Sequence, residues 1–387
     1  MPSGSENMKR LNKIVICLGL AGSLSLPACA GRQKPEQSPQ KQAQSKPPLS
    51  EQSSPQPYPS SNTSRPEKSY RATRLSGDFQ GYAAVDDFIA RLSERHGYSK
   101  EYLYGVLSQA KRKQWTLNYL ARETPSTPGA RPRPGAWSRY RAQFLDEQHI
   151  AGGAKFWLQH ENDLQRAAAL YGVPPEYIVG IIGVETSYGK NVGNHRIVDA
   201  LTTLAFDYPR RGAYFAEELE NFFVMTAQEK MDPLKPVGSY AGAMGLGQFM
   251  PGSFLKWAMD LNGDGKKDLW SPADAIGSVA NYFSSHGWQR GGRVVTSATA
   301  VNSNAGALEA GYDTNYSLGT LRDNGILAAD STLPEQSNYK LLRLNTNSGE
   351  EYKIGHDNFY VITRYNHSTH YAMAVHELAQ AIKARMR

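Results

Sequence analysis

The chain has 387 residues, of which 40% are apolar, 10% aromatic and 20% charged, so it admits one large domain or two ordinary ones with a sizeable core. A net charge of +7 suits an anionic partner, but part of the excess lies in the N-terminal tail. No basic stripe with interleaved aromatics and no nucleic-acid module is present, which argues against nucleic acid, and the only cysteines, Cys17 and Cys29, leave the body without disulfides or thiol chemistry.

The chain opens like an export signal. Met8-Lys9-Arg10 begins a basic region, residues 14–26 form an apolar run too short for a comfortable transmembrane helix, and Leu26-Pro27-Ala28-Cys29 resembles a bacterial lipobox. On this reading residues 1–28 are removed and Cys29 becomes the acylated N-terminus. Ala30, where an aspartate would retain the chain, then directs it to the periplasmic face of the outer membrane. An ordinary secretory signal cleaved near Ala28 or Ala30 is the alternative. Residues 29–72 are mostly Gln, Ser, Pro and Lys. They cannot bury enough apolar area to offset the entropy of ordering, and are expected to be a disordered spacer.

A folded body is expected over residues 73–387. Helical periodicity predicts helices over 84–96 and 100–111, joined by a Gly97-Tyr98 turn. Residues 123–137, rich in Pro and Arg, read as an extended loop. Helical patterns resume at 142–149 and run through 155–171. Pro174 and Pro175 suit a helix's first turn, where no donor is lost. Residues 175–188 are then apolar nearly all round, as in a buried helix. Further helices are predicted over 213–230, 252–259, 272–287 and 371–386, with strand-like runs at 339–344 and 359–363. No βαβ alternation appears, so the fold class is mainly α with a small β part.

Within that buried helix, Glu185 shares one face with Ile178, Ile181 and Ile182. Aliphatic surroundings disfavour the charged carboxylate and raise its pKa, as a general acid near neutral pH requires. By spacing alone, a buried Glu satisfied by an Arg or by backbone donors is an equal reading. A sugar hydrolase ordinarily needs a second carboxylate. The nearest in sequence, Asp199 and Asp207, do not stand out from capping or solvated aspartates, which points to a substrate that supplies its own second group.

Two blocks carry a resemblance. Ile182-Gly183-Val184-Glu185-Thr186-Ser187-Tyr188-Gly189, and the run from Asp199 through Asp207-Tyr208-Pro209-Arg210-Arg211, resemble motifs of the membrane-bound lytic murein transglycosylase B family. The similarity extends from about residue 75 to the C-terminus. It implies a lysozyme-like helical core with an added helical subdomain. It also implies that Glu185 alone protonates the β-1,4 bond between N-acetylmuramic acid and N-acetylglucosamine. The substrate's 2-acetamido oxygen would then attack C1, and the C6 hydroxyl would close on C1 to leave a 1,6-anhydromuramoyl end.

The block Gly238-Ser239-Tyr240-Ala241-Gly242-Ala243-Met244-Gly245-Leu246-Gly247-Gln248 reads either as a tight loop under the core or as a backbone that approaches a ligand closely. Its similarity to the family's Gly-rich wall implies that Ser239 and Gln248 hydrogen-bond the substrate or the catalytic carboxyl. The same resemblance tips Tyr282, Tyr365, Asn366 and Tyr371 toward substrate binding, although Tyr282, Tyr365 and Tyr371 are otherwise ordinary core residues.

Residues 260–268 follow the first nine positions of an EF-hand loop: Asp260, Asn262 and Asp264 supply oxygens and Lys266 a carbonyl. Position twelve is Ser271 rather than Glu. The resemblance assigns the last ligand to Asp274, making a longer EF-hand-like loop, 260–274, with one structural Ca²⁺. A metal-free polar turn is the alternative. No zinc signature and no organic cofactor motif is present. The expected partners are peptidoglycan glycan strands and, through the lipid anchor, the outer membrane, with the chain a monomer. A muramidase using water on the same bond, and a non-catalytic peptidoglycan-binding lipoprotein, are the competing functions.

Overall fold

A computed structural model describes residues 70–122 and 134–387. The predicted signal, Cys29 and most of the spacer lie outside the described residues, as does most of the 123–137 loop. Packing begins at Tyr70, whose hydroxyl donates to Asp232 at 2.9 Å.

The helices in chain order are α1 (Ala83–His96), α2 (Lys100–Leu107), α3 (Gln114–Arg122), α4 (Ala136–Arg141), α5 (Glu147–Gln159), α6 (Glu161–Tyr171), α7 (Pro175–Thr186), α8 (Ile197–Asp207), α9 (Gly212–Gln228), α10 (Pro251–Trp257), α11 (Pro272–Ser285), α12 (Leu318–Asp323), α13 (Asp357–Tyr365) and α14 (Thr369–Arg385). The strands are β1 (His195–Arg196), β2 (Val237–Gly238), β3 (Val295–Ala300), β4 (Ile326–Ala328), β5 (Lys340–Thr346) and β6 (Gly349–Gly355). β1 and β2 pair in a short antiparallel ladder with His195 opposite Gly238. The other four form an antiparallel sheet in the order β4-β3-β6-β5. The mainly helical fold with a small β part is as expected. No single described helix is long and apolar enough to cross a membrane.

α7 is the centre. Pro175 at its first turn loses no hydrogen bond, and the helix packs against α5, α6, α11 and α14. From Glu176 to Thr186 every residue but one is buried, and the exception is Glu185. A satellite core of Leu318, Leu321, Ile326, Leu341 and Ile354 sits under the sheet.

Local boundaries differ from the periodicity where side chains capture the backbone. α2 stops at Leu107 rather than 111: Gln109 and Ala110 N–H tighten into a turn on Val106 and Leu107 at 3.0 and 3.1 Å, and the following amides leave for side chains, Lys111 N–H to Asp199 at 2.9 Å, Arg112 N–H to Asp78 at 3.0 Å and Lys113 N–H to Thr203 at 2.9 Å. The 155–171 pattern is two helices broken at His160. Residues 142–146 turn, and Asp146 then caps α5 by accepting from His149 N–H at 2.8 Å. Trp137 belongs to α4, not to a loop. The run 359–363 is not a strand but part of α13: Asn358, Phe359, Val361, Ile362 and Thr363 are buried, a three-four spacing that a short β-branched run disguises. α3, α4, α8, α12, β1, β2, β3, β4 and β6 had no counterpart among the predicted elements.

Gly193 (φ 91°) locks the segment after α7 to the Gly-rich block, since an added Cβ would lie 2.1 Å from the Gly238 carbonyl oxygen. Gly193→Ala should therefore destabilise the protein by about 2–4 kcal/mol. Gly81→Ala, at a similar φ of 81° with nothing within 4 Å, should cost clearly less in the same denaturant titration. Equal losses would show that backbone conformation alone, not this close approach, sets the cost.

Candidate active site

Glu185 is partly exposed at the C-terminal end of α7, with Thr186 and Val184 buried on either side. Burial pushes its carboxyl from an ordinary 4.5 up to about 7, opposed by a hydrogen bond that Tyr371 donates to Oε1 at 2.5 Å. No other carboxylate is among these influences. Asp199 is occupied by Arg196 at 2.8 Å, Lys113 at 2.9 Å and the Lys111 amide. Asp207 pairs with Arg112 at 2.7 Å and accepts from the Tyr82 hydroxyl at 3.2 Å.

Tyr371 lies in the first turn of α14, whose cap Ser368 accepts from the Tyr371 amide at 3.3 Å. Burial, then the charge of Glu185, holds its phenol protonated, so it is a permanent donor. Tyr365, at the end of α13, feels the Glu185 charge too, and its hydroxyl donates to the Gly247 carbonyl at 2.5 Å. Tyr282 sits edge-on to Tyr365 at 4.8 Å between ring centroids and donates to the Arg364 carbonyl at 2.5 Å. It also stacks on His286 at 4.0 Å, so its ring is at least as much core as site.

The Gly-rich block folds back on itself. Ser239 Oγ accepts from the amides of Ala243 at 3.0 Å and Ala241 at 3.4 Å, so here it organises the loop rather than reaching the carboxyl. Gln248 has a positive φ of 52°, and its amide nitrogen donates to Gly245 at 2.9 Å and Val192 at 3.2 Å. Its Oε1 is buried without a hydrogen-bond partner. A buried acceptor left open is costly unless a ligand fills it. Asn366 caps the end of α13 in extended conformation, and its carbonyl accepts from Ser368 N–H at 2.7 Å. The structure thus gathers Glu185, Tyr371 and Tyr365 directly, Tyr282 through Tyr365, and Gln248 through Gly247.

The residues after the helix were not singled out beforehand. Ser187, Tyr188 and Gly189 all have positive φ (49°, 64° and 86°), strained for the two that carry side chains. The strain is held by contacts: the Tyr188 hydroxyl donates to the His149 carbonyl at 2.8 Å, and Ser187 Oγ meets His149 Nε2 at 3.2 Å. His149 Nδ1 in turn lies 2.7 Å from Asp146. Thr186 Oγ1 donates to Leu246 at 2.9 Å and accepts from Gly189 N–H at 3.0 Å. The Tyr188 ring lies so close to Gly183 that a Cβ there would sit 2.6 Å from the hydroxyl. Glycine at 183 beside a ring at 188 was the available signal.

Residues 80–380 match the Transglycosylase SLT domain family. Membrane-bound lytic murein transglycosylase B of Escherichia coli (strain K12) is 47% identical over 319 residues, which are 82% of this chain and 87% of that protein. The chain belongs to the lytic murein transglycosylase B family. It is a lytic transglycosylase acting on peptidoglycan. Among solved structures, the Escherichia coli lytic transglycosylase SLT35 in complex with calcium is 46% identical, with a TM-score of 0.75 over 81% of this chain and 96% of that one. SltB3 from Pseudomonas aeruginosa in complex with NAG-anhNAM-pentapeptide is 27% identical, with a TM-score of 0.68 over 79% and 80% of the two chains.

In this lytic transglycosylase the 260–274 loop joins α10 to α11. Asp260 accepts from the amides of Gly263 at 2.7 Å and Gly265 at 2.8 Å, and Asp264 accepts from Lys266 N–H at 2.9 Å. Asp274, fully buried, accepts from Leu261 and Asp268 at 2.9 Å. Burial raises the Asp274 pKa, three backbone amides lower it, and the charge of Asp260 adds to the rise. A cation between the two carboxylates would relieve that repulsion. Among the described residues no three His, Cys, Asp or Glu side chains are gathered to hold a metal. A cation here would rely on Asn262 and the Lys266 carbonyl as well, an all-oxygen set that suits Ca²⁺.

Glu185 carries a stability cost with a definite sign. Its folded pKa of about 7 exceeds the ordinary 4.5, so its contribution is intact below 4.5 and is lost as pH rises to about 7. Glu185→Gln should therefore melt higher than the parent at pH 8, by on the order of 2 kcal/mol after allowance for partial exposure, and the gap should close near pH 4.5. Melting curves that differ by the same amount at both pH values would contradict the raised pKa.

Proposed function

We propose that this lytic transglycosylase cleaves the β-1,4 bond between N-acetylmuramic acid and N-acetylglucosamine with Glu185 as its one acid and base, leaving 1,6-anhydromuramoyl ends. The observation that carries this reading is a carboxyl with a pKa of about 7, bonded to one phenol and influenced by no second carboxylate.

Protonated Glu185 gives its proton to the glycosidic oxygen as the C1–O bond breaks. The acetamido oxygen of the N-acetylmuramic acid attacks C1 and forms an oxazolinium ion. The Glu185 carboxylate, held by the Tyr371 hydroxyl, then removes the C6 hydroxyl proton. O6 closes on C1, the acetamido group is restored, and Glu185 is protonated again with no water consumed. Tyr365 supports this end of the site through Gly247, and Tyr282 supports Tyr365. The open Gln248 Oε1 is suited to accept from an acetamido N–H or a sugar hydroxyl, with Ser239 and Asn366 as further contacts. A positioned acid of this kind contributes about 10²–10⁴ in rate.

We further infer that residues 29–72 tether the body to the outer membrane through acylated Cys29, on its periplasmic face. The name of the Escherichia coli relative, membrane-bound, supports the tether. The body would act as a monomer. Ca²⁺, held by Asp260, Asn262, Asp264, the Lys266 carbonyl and Asp274, would serve structure rather than chemistry, and the calcium complex of SLT35 supports it.

Digestion of purified sacculi followed by mass spectrometry tests the chemistry. Anhydro ends are expected, with kcat/KM falling as pH rises through about 7, where the acid loses its proton. Glu185→Gln should abolish turnover. Reducing ends that carry added water would instead make the protein a muramidase.

The ion is tested by melting temperature alone. Ca²⁺ at about a hundred times its Kd should stabilise the protein by about 2.7 kcal/mol over chelator, and Asp260→Ala should remove the difference. No shift in the parent would sink the calcium assignment.

A further inference from the structure

Trp115 is 55% exposed although its ring is tightly held. It stacks on Tyr119 one turn along α3, with centroids 5.3 Å apart and planes at 15°. It stacks on His195 of β1 at 6.0 Å and 24°, and meets the edge of Tyr240 at 6.0 Å. Tyr240 also packs edge-on against Tyr119 at 5.2 Å. On the same helix Thr116 and Leu120 are buried, and the start of α3 is pinned to α8 by Lys113 N–H donating to Thr203 at 2.9 Å. A large exposed indole whose orientation is already fixed loses little entropy when a ligand covers it.

The cluster stands at the far end of the wall that begins beside Glu185. Two segments run side by side between them. One leaves α7 at Thr186 and reaches His195, and the other is the Gly-rich block from Gly238 to Gln248. Thr186 bonds Leu246 and Gln248 bonds Val192 near the Glu185 end. Gly193 then packs on Gly238 and Ser239, and His195 pairs opposite Gly238. Tyr240 follows Ser239 directly, so the His195 and Tyr240 half of the cluster is continuous with the wall, and α3 sets Trp115 and Tyr119 against it.

We propose that Trp115, with Tyr119, His195 and Tyr240, forms an outer platform on which a distant amino-sugar ring of the glycan strand stacks. The proposal rests on the reading of Glu185 as an acid acting on glycan. An aromatic face carries partial negative charge. A pyranose ring presents axial C–H groups to such a face while its equatorial hydroxyls stay in water, which fits a ring half open to solvent. Burial, together with the charge of Lys113, lowers the His195 pKa, so its imidazole is neutral at pH 7 and stacks without its own charge. The platform holds the strand beyond the reacting pair, and so makes turnover depend on strand length.

The test compares Trp115→Ala and Trp115→Phe in the full chain. The first readout is the ratio of kcat/KM on long uncrosslinked glycan strands to that on a tetrasaccharide. Aromatic contacts of this kind correspond to about threefold to tenfold in binding. The ratio should fall by that factor in Trp115→Ala through KM, and Trp115→Phe should restore most of it. A ratio unchanged from the parent, or a loss carried by kcat on both substrates alike, overturns the platform.

The second readout is pelleting with insoluble peptidoglycan in a Glu185→Gln background, where Trp115→Ala should weaken retention by the same factor. Equal retention with a change in oligomeric state would assign the rings to self-association and also overturn the proposal. Residual turnover by Glu185→Gln would refute the acid assignment while leaving the pelleting comparison intact, so the two failures are distinguishable.

Discussion

The site depends on a conflict built into α7, where the Glu185 carboxyl stands without a cationic partner at the end of an otherwise buried helix, whereas Glu176 at the other end pairs with Lys383. A charged carboxylate is poorly solvated there, so the proton stays on to about pH 7. The Tyr371 hydroxyl pulls in the opposite direction by bonding the charged form. In the proposed chemistry the acid must also serve as the later base, and that needs both influences. With burial alone it would hold its proton too tightly to return as a base, and with several donors it would never carry the proton at neutral pH. The architecture around α7 sets this balance. α14 brings Tyr371, and α5, α6 and α11 exclude water from the remaining faces.

The end of α7 shows where the cost is held. Ser187 and Tyr188 take backbone conformations that residues with side chains avoid, and Gln248 across from them does the same. Each is fixed by a specific contact: Tyr188 by the His149 carbonyl, Ser187 by the His149 ring, and Gln248 by its own amide bridging Gly245 and Val192. The turn after the acid is therefore anchored on α5, while Gln248 and Leu246 tie the wall to the segment that follows the acid.

How much of this was legible follows from range. The α7 helix was readable because Pro175 and an apolar run are local signals, and Glu185 stood out as the one polar side chain on its aliphatic face. The turn at 260–265 was readable because its alternating side-chain oxygens and its glycines lie within a few residues. The family motifs added the tyrosines, which no periodicity would have selected, since Tyr371 bonds a residue 186 positions away. The end of α2 was not legible, because the segment after its closing turn is held by Asp199 and Thr203, about ninety residues on, which take the Lys111 and Lys113 amides. α13 was misread because its β-branched run favours a strand locally, and packing of Phe359 and Ile362 into the core overrides that preference. The Trp115 cluster was invisible for the same reason as the tyrosines: its four rings come from α3, β1 and the Gly-rich block.

The loop at 260–274 is remote from the chemistry in sequence but adjoins the acid in space. Leu269, between the ligand positions, accepts from Leu246 N–H at 2.9 Å. The Leu246 carbonyl accepts from Thr186 Oγ1, and Thr186 follows Glu185. Asp274 opens α11, the helix that carries Tyr282 beneath Tyr365. The Asp274 carboxylate is fully buried in the first turn of that helix, where three backbone amides offset part of the cost of its charge and a cation would offset more. A divalent ion there would fix the loop and, with it, both the wall strand bonded to Thr186 and the tyrosine pair under the site. That arrangement gives a structural ion a reason to sit in an enzyme whose proposed chemistry uses no metal.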